Sequence, residues 1–202
     1  TSRFEINEGY QVPYIEFVKS LTSKPVVGVG RLTSPDLMAR LIKQQTIDLI
    51  GAARPSIADP FLPNKIKEGR IDEIRECIGC NICVSSDNLS VPIRCTQNPT
   101  MGEEWRRGWH PEKIKPRKTE QAALVVGSGP AGLECSMQLA RRGYHVILSE
   151  GASELGGRVL LESDLKGLSA WKRVIDNRVY EIQQKTNIEI YRESELTLSH
   201  IN

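Results

Sequence analysis

Four of the five cysteines in this sequence lie close together, between positions 77 and 95. Three thiolates at successive two-residue gaps, with a fourth further along the chain, can surround one compact iron–sulfur cluster. The alternative is a structural zinc site, although zinc sites more often use two separated pairs of cysteines. We therefore interpret Cys77, Cys80, Cys83 and Cys95 as candidate ligands of a four-iron cluster. The fifth cysteine, Cys135, is expected to be a small buried side chain.

A glycine-rich turn forms the second candidate site. Gly127, Gly129 and Gly132 follow a predicted strand and open a predicted helix. In that context the glycines allow a tight turn, close approach of a pyrophosphate, and close packing of the helix on the strand. Glu150 ends the next predicted strand, where its carboxylate would accept hydrogen bonds from a ribose. A turn without any ligand is the alternative, but the context favours a dinucleotide site.

Two arginines in turns after neighbouring predicted strands form the third candidate site. Arg31 follows Gly30, and Arg54 follows Ala53 in a run of small residues. Small residues let backbone N–H groups approach phosphate oxygens, and arginine adds charge and a bidentate fork. In (β/α)₈ barrels a phosphate site is often built by the loops after the last two strands. Arginines in such turns can also form surface ion pairs, so the residues alone leave both alternatives open.

Three regions of the chain would position these sites. Residues 1–75 alternate helix and strand patterns, which predicts two consecutive parallel β/α units of an α/β fold. Residues 76–118 hold the cysteines and a connector, and residues 119–202 begin a unit of dinucleotide-binding type. The predicted helices cover 13–21, 34–44, a segment capped by Asp59-Pro60 and ended by Gly69, 130–142 and 170–185. The predicted strands cover 25–30, which is expected to be buried on both faces, 47–50, 122–126, 145–149 and 188–191.

The overall charge argues against two classes of partner. Lysine and arginine together number 27 and aspartate and glutamate 25, and the two signs are interspersed along the chain. Nucleic-acid and membrane surfaces need clustered positive charge, so neither is an expected partner. No apolar run approaches the roughly 20 residues of a membrane span. Clustered cysteines favour metal ligation in a reducing compartment, which predicts a cytoplasmic protein.

Several motifs, taken in order, resemble a known family of enzymes. They are residues 25–31, 50–63 and 76–83, the segment Cys95-Thr-Gln-Asn, and residues 102–111. Together they resemble the trimethylamine, dimethylamine and histamine dehydrogenases, which are iron–sulfur flavoproteins of the old yellow enzyme and NADH:flavin oxidoreductase superfamily. The related enoate and 2,4-dienoyl-CoA reductases share the architecture but place an extra residue within the cysteine run.

The resemblance implies a fold and a set of cofactor sites. Residues 1–75 would be the last two β/α units of an FMN-binding (β/α)₈ TIM barrel, residues 76–118 a 4Fe-4S cluster segment with its linker, and residues 119–202 the start of a Rossmann-like domain. The four clustered cysteines would ligate the cluster. Residues Gly30, Arg31, Ala53 and Arg54 would contact the FMN phosphate, and residues Gly127, Gly129, Gly132 and Glu150 would hold ADP or FAD.

The resemblance also implies a route for electrons. A small-molecule substrate, in this family an amine, would reduce FMN, and electrons would leave singly through the cluster to an electron-transferring flavoprotein. The complete enzyme would be a homodimer. Its catalytic residues would lie upstream of Thr1, so the chain is expected to be a fragment that is inactive by itself.

Two alternatives stay open beside the amine dehydrogenase. The first is a reductase of the enoate type, in which electrons run from a nicotinamide through FAD and the cluster to FMN. The second belongs to a different class, a non-enzymatic binding module with a zinc clip and a ligand-free glycine turn. Metal analysis separates this second alternative from the two enzymes.

Overall fold

Two parallel sheets organise the computed structural model, which describes residues 7–109 and 112–200. The chain divides into two compact units, the first ending at Gly102 and the second beginning at Glu103. His110 and Pro111, which end the linker motif, lie outside the described residues. The predicted α/β class with parallel strands is confirmed.

The first unit is built on two short parallel strands. Strand β1 (Val27–Gly28) pairs with β2 (Leu49–Ile50), with Val27 opposite Leu49. The helices are α1 (Val12–Ile15), α2 (Val18–Leu21), α3 (Pro35–Lys43), α4 (Ala53–Ala58), α5 (Leu62–Lys67) and α6 (Ile82–Asn88), with a 3₁₀ turn at Ile71–Glu73. The core consists of Val26, Leu32, Met38, Leu41, Ile47, Leu62 and Ile74.

Helix α3 begins where the sequence predicts it to begin. The hydroxyl of Ser34 accepts a hydrogen bond from the Leu37 N–H at 3.2 Å, and Pro35 occupies the first turn. Met38 and Leu41 lie three residues apart and are both buried, so this face of the helix packs into the core.

Three local predictions for this unit are wrong in detail. The helix predicted at 13–21 is divided into α1 and α2. Residues after Ala52, predicted as a turn, already form α4. Asp59 follows the end of α4 and does not cap the next helix, since α5 begins at Leu62 with Phe61 at its N-cap position. The buried Asp59 carboxylate accepts hydrogen bonds from three separate donors.

The strand pair is covered on one face only within the described residues. Val26 and Ile47 are buried against the helices, whereas Val27 and Leu49 are 55% and 54% exposed and Val29 is also exposed. Within the described residues the strand is therefore buried on one face, and burial of its second face stays a prediction for the complete barrel. Parallel sheets normally carry a covering layer on both faces, and the described residues of this unit supply one helical layer.

The second unit is a three-stranded parallel sheet with helices packed against it. Its strands β3 (Ala123–Val126), β4 (Val146–Ser149) and β5 (Ile188–Tyr191) pair in that order. The helices are α7 (Glu104–Arg107), α8 (Pro130–Arg141), α9 (Arg158–Ser163) and α10 (Arg173–Gln183), with 3₁₀ turns at Ser169–Lys172 and Leu198–His200. The predicted succession of strand, helix, strand, helix and strand along the chain is confirmed by β3, α8, β4, α10 and β5. In the described part of the chain, no helix is both long enough and apolar enough to cross a membrane.

The buried carboxylate of Asp59 joins helix α5 to the residues just before the cysteines, and its contribution to stability can be tested directly. Its carboxylate is fully buried and accepts hydrogen bonds from the Lys65 ammonium at 2.7 Å, the Phe61 N–H at 3.0 Å and the Arg75 N–H at 3.1 Å. We expect Asp59→Ala to lower the free energy of unfolding by about 3 kcal/mol, because it leaves the buried ammonium without its anion. Urea denaturation measures the change. Glu68→Ala, which removes an exposed ion pair with Arg70, is the control and should change stability little.

Candidate functional site

The four clustered cysteines surround one small cavity in the first unit. Cys77, Cys83 and Cys95 are half-buried, and Cys80 is exposed at the mouth. The rest of the lining combines apolar and polar side chains: Arg54, Ile57, Ile78, Asn81, Ile82, Thr96 and Gln97. The structure therefore brings together all four residues that the spacing selects.

Two left-handed residues shape the loop that carries the first three thiols. Gly79 has φ of +70° and Asn81 has φ of +61°, a region that costs little for glycine and less for asparagine than for most residues. Helix α6 begins directly after Asn81, so Cys83 lies in its first turn. This helix was not predicted from the sequence.

Buried amides hold the fourth cysteine in place. Gln97 and Asn98 are only 1% and 2% exposed. The Gln97 amide donates to the Glu76 carbonyl at 3.0 Å, and the Asn98 amide donates to the Ile57 carbonyl at 3.0 Å. The Cys95 segment is thereby tied both to the first cysteine loop and to α4. Spacing alone missed these two residues, although both belong to the segment Cys95-Thr-Gln-Asn.

Burial and backbone donors act in opposite directions on the thiols. Burial raises the pKa of Cys77 and of Cys95, while the Gly79 N–H hydrogen-bonds to the Cys77 sulfur and lowers its pKa. The backbone N–H groups of Asn98 and Gln97 act in the same way on Cys95. Backbone N–H donors beside a half-buried sulfur suit a thiolate that ligates a metal.

Four thiols around one cavity match the number of protein ligands that a four-iron cluster takes, and also the number that a structural zinc ion takes. Among the described residues, no group of three or more histidine, cysteine, aspartate or glutamate side chains is gathered closely enough to hold one metal ion.

A second cavity, of about 510 Å³, lies at the ends of β1 and β2. Gly30, Arg31, Ala53 and Arg54 all line it, so the structure brings together the four residues predicted to contact a phosphate. The lining also includes residues that sequence reasoning missed, among them Tyr10, Gln11 and Thr33. Tyr10 and Gln11 lie well before β1 in the chain, and no local pattern indicates that they approach its end.

The backbone at the end of β1 is held in an unusual conformation. Gly30 has φ of +113°, and a Cβ atom there would lie 2.7 Å from the Gln11 Cβ. Arg31, which is not a glycine, has φ of +59°. Left-handed residues of this kind cost energy and tend to occur at binding sites, where the surrounding structure holds them.

The three glycines of the predicted nucleotide turn have three different environments. Gly127 has φ of +92°, which only glycine adopts readily. At Gly132 a Cβ would lie 1.9 Å from the Gly127 carbonyl oxygen, so helix packing excludes a side chain. Gly129 has φ of −63°, and a Cβ there would meet nothing within 4 Å. The chain itself therefore leaves open space beside Gly129, at the first turn of α8.

Glu150 closes the other side of the same turn. One carboxylate oxygen accepts hydrogen bonds from the Ser128 N–H at 2.7 Å and the Ser128 hydroxyl at 2.6 Å, and the other accepts from the Ala152 N–H at 2.8 Å. These bonds, the Ser128 hydroxyl first, lower the pKa of Glu150 and keep it ionised. The ionised carboxylate is thus held directly after β4, where the sequence predicts a contact with a ribose hydroxyl.

Cys135 corrects one expectation. It lies in α8, two residues after the buried Leu133, and its side chain is exposed. The buried face of this helix passes through Leu133, Met137 and Ala140, and position 135 falls outside that spacing.

Two family models match the two units. Residues 1–73 match the NADH:flavin oxidoreductase / NADH oxidase family, and residues 125–179 match a NAD(P)-binding Rossmann-like domain. The dimethylamine dehydrogenase of Hyphomicrobium sp. (strain x) is 52% identical over 85% of this chain and 23% of its own length. The structure of histamine dehydrogenase from Rhizobium sp. 4-9 superposes with a TM-score of 0.95 at 55% identity, over 100% of this chain and 29% of the other.

The resemblance to the amine dehydrogenases is confirmed. The NADH oxidase of Thermoanaerobacter brockii is 39% identical over 82% of this chain and 25% of its own length, so the similarity extends to flavoenzymes beyond the amine dehydrogenases. The chain spans about a quarter of the length of these curated relatives.

Proposed function

We propose that this chain is part of an iron–sulfur flavoprotein that oxidises a small amine. Residues 1–75 would be the last two β/α units of an FMN-binding TIM barrel. Residues 76–118 would hold a 4Fe-4S cluster and a linker, and residues 119–202 would open an ADP- or FAD-binding domain. The boundary between the two compact units lies after Gly102, so the candidate cluster site belongs with the strands of the first unit.

One observation carries the proposal: the cysteine cavity and the candidate phosphate pocket adjoin each other within the first unit. Arg54 lines both of them. A flavin anchored by its phosphate in the second cavity would therefore lie near a cluster in the first. When bound, FMN and the cluster together would convert the two-electron oxidation of a substrate into single-electron transfers.

The residues of the chain would have distinct parts in this arrangement. The four cysteine sulfurs bind iron, and the N–H groups of Gly79, Gln97 and Asn98 hydrogen-bond to two of those sulfurs. Arg31 and Arg54 provide positive charge to the phosphate. In the second unit, the open space at Gly129 admits a pyrophosphate, and Glu150 accepts from a ribose hydroxyl.

The proposed substrate and partner follow from the relatives. Dimethylamine dehydrogenase and histamine dehydrogenase are both named for amines, which supports an amine as the substrate here. An electron-transferring flavoprotein would accept the electrons, and the complete enzyme would be a homodimer. The second candidate is an NADH-dependent reductase with the opposite direction of electron flow, which the similarity to an NADH oxidase favours.

Metal and flavin analysis of the full-length protein tests the proposal. After anaerobic reconstitution we expect iron and acid-labile sulfide in equal amounts, together with bound FMN. Amine-dependent reduction of a dye should exceed NADH-dependent reduction. Stoichiometric zinc without sulfide would instead identify a zinc-clipped module, and reduction driven by NADH alone would identify the reductase.

A further inference from the structure

We propose that Asn81 on the cysteine loop is a positioning residue that acts through Arg54 and controls how tightly the flavin phosphate is bound. This inference rests on the proposed function, since it requires FMN in one cavity and a cluster in the other. It adds a specific physical link between the two sites.

The link is a hydrogen bond between two elements that are far apart in sequence. Arg54 lies in the first turn of α4, and its Nη1 donates to the Asn81 Oδ1 at 2.5 Å. Asn81 lies between Cys80 and Cys83 and lines the cysteine cavity. Arg54 lines that cavity and also the phosphate pocket. The cysteine loop therefore holds the guanidinium of a residue that lines both cavities.

The geometry of arginine makes both contacts compatible. A guanidinium carries five N–H donors in a rigid plane, so one side chain can donate both to an acceptor on the loop and to phosphate oxygens. The bond also restricts a long side chain before the phosphate arrives. Because the side chain loses less entropy on binding, a guanidinium positioned in advance binds the phosphate more tightly.

The backbone at Asn81 indicates that the loop is built to present this side chain. Its φ of +61° places it in the left-handed region, in the position just before α6. Glycine would occupy this conformation at lower cost, yet the chain has a residue with an acceptor oxygen there. That oxygen accepts the hydrogen bond from Arg54, which a glycine at this position could not do.

The positive charge of Arg54 should also affect the reduction potential of a cluster bound by the cysteines. Four thiolates around a four-iron cluster leave a net negative charge, and a flavin phosphate is a second anion. The positive charge of Arg54 acts on the Cys77 thiolate as well as facing the phosphate pocket. Charge beside a cluster is one of the factors that set its reduction potential. Removing this cation should therefore lower the cluster potential.

The first test replaces Asn81 in the full-length enzyme. Asn81→Gly keeps the left-handed backbone and removes only the acceptor. We expect the Kd for FMN to rise about tenfold, as for the loss of one charge-assisted contact, while the Kd for riboflavin, which lacks the phosphate, stays the same. Ser90→Gly is the matched control, since Ser90 also has positive φ and lies just after α6.

A second test examines the link between Arg54 and the cluster, and it applies even if Asn81→Gly loses iron. Arg54→Gln and Arg31→Gln are compared in their flavin-free forms by redox titration with electron paramagnetic resonance. Both should weaken FMN binding, but only Arg54→Gln should lower the midpoint potential of the cluster. The inference is overturned by unchanged FMN affinity in an iron-loaded Asn81→Gly protein, or by equal cluster potentials in the two arginine variants. Failure of the proposed function would instead be seen in the unmodified enzyme, as absence of FMN or iron.

Discussion

Replacing Gly129 with valine is expected to abolish nucleotide binding by the full-length protein and to leave the second unit folded. The backbone there has φ of −63° and ψ of 174°, an extended conformation that valine adopts readily. An added Cβ meets no protein atom within 4 Å, so the branched side chain would fill only the open space beside the turn. A pyrophosphate that approaches the N-terminus of α8 needs that same space.

The matched control lies three residues further along the same turn. At Gly132 a Cβ would approach the Gly127 carbonyl oxygen to 1.9 Å, so Gly132→Ala should destabilise the unit by about 1–3 kcal/mol. Bound ADP or FAD, thermal unfolding and iron content are measured for both variants. Gly129→Val should lose the nucleotide at unchanged iron content, and its melting temperature should equal that of the unmodified protein stripped of nucleotide. A Gly129→Val protein that keeps its nucleotide would show that the glycine turn serves the fold alone.

The elements that the sequence predicts well are those with strong local signals. Helix α3 has a serine cap, a first-turn proline and regular apolar spacing, and its observed limits agree with the prediction within one residue. Strand β5 and helix α8 also agree closely, since each is bounded by loop residues or glycine. In these segments the local preference and the tertiary packing favour the same structure.

The elements that the sequence did not predict depend on contacts distant in the chain. Helix α6 contains β-branched and capping residue types with low helix propensity. It begins directly after Asn81, whose side chain accepts a hydrogen bond from Arg54. The burial of Asp59 depends on donors from Lys65 and Arg75, which no local pattern reveals. Tertiary hydrogen bonds therefore decide the structure at these positions.

The candidate sites divide in the same way. Cysteine spacing and the glycine turn indicate their chemistry directly, because neighbouring residues provide most of the geometry. The supporting residues Gln97, Asn98 and Gln11 come from other segments, and only the folded chain brings them to the sites. Cys135 was assigned as buried from its residue type, although the helical spacing of Leu133 and its neighbours already places it outside the apolar face.

Replacing Cys95 with alanine is expected to remove most of the iron and sulfide from the full-length protein. The other three thiols come from one loop, and Cys95 closes the cavity from a separate segment. That segment is held by the buried amides of Gln97 and Asn98, which restrict its movement toward the cavity when the thiolate is missing. A cluster bound by three cysteines has one iron without a protein ligand and is more readily lost.

Cys135→Ala supplies the control for this experiment, because Cys135 is an exposed cysteine on α8 in the other unit. It should retain the iron and sulfide of the unmodified protein. Both variants are reconstituted anaerobically, and iron, acid-labile sulfide and thermal unfolding are measured side by side. We expect Cys95→Ala to unfold at a lower temperature as well, since the cluster crosslinks the two cysteine-bearing segments when it is bound. If Cys95→Ala retained full iron and sulfide, the fourth ligand would be a different residue, and the assignment of this cavity to a four-cysteine cluster would be wrong.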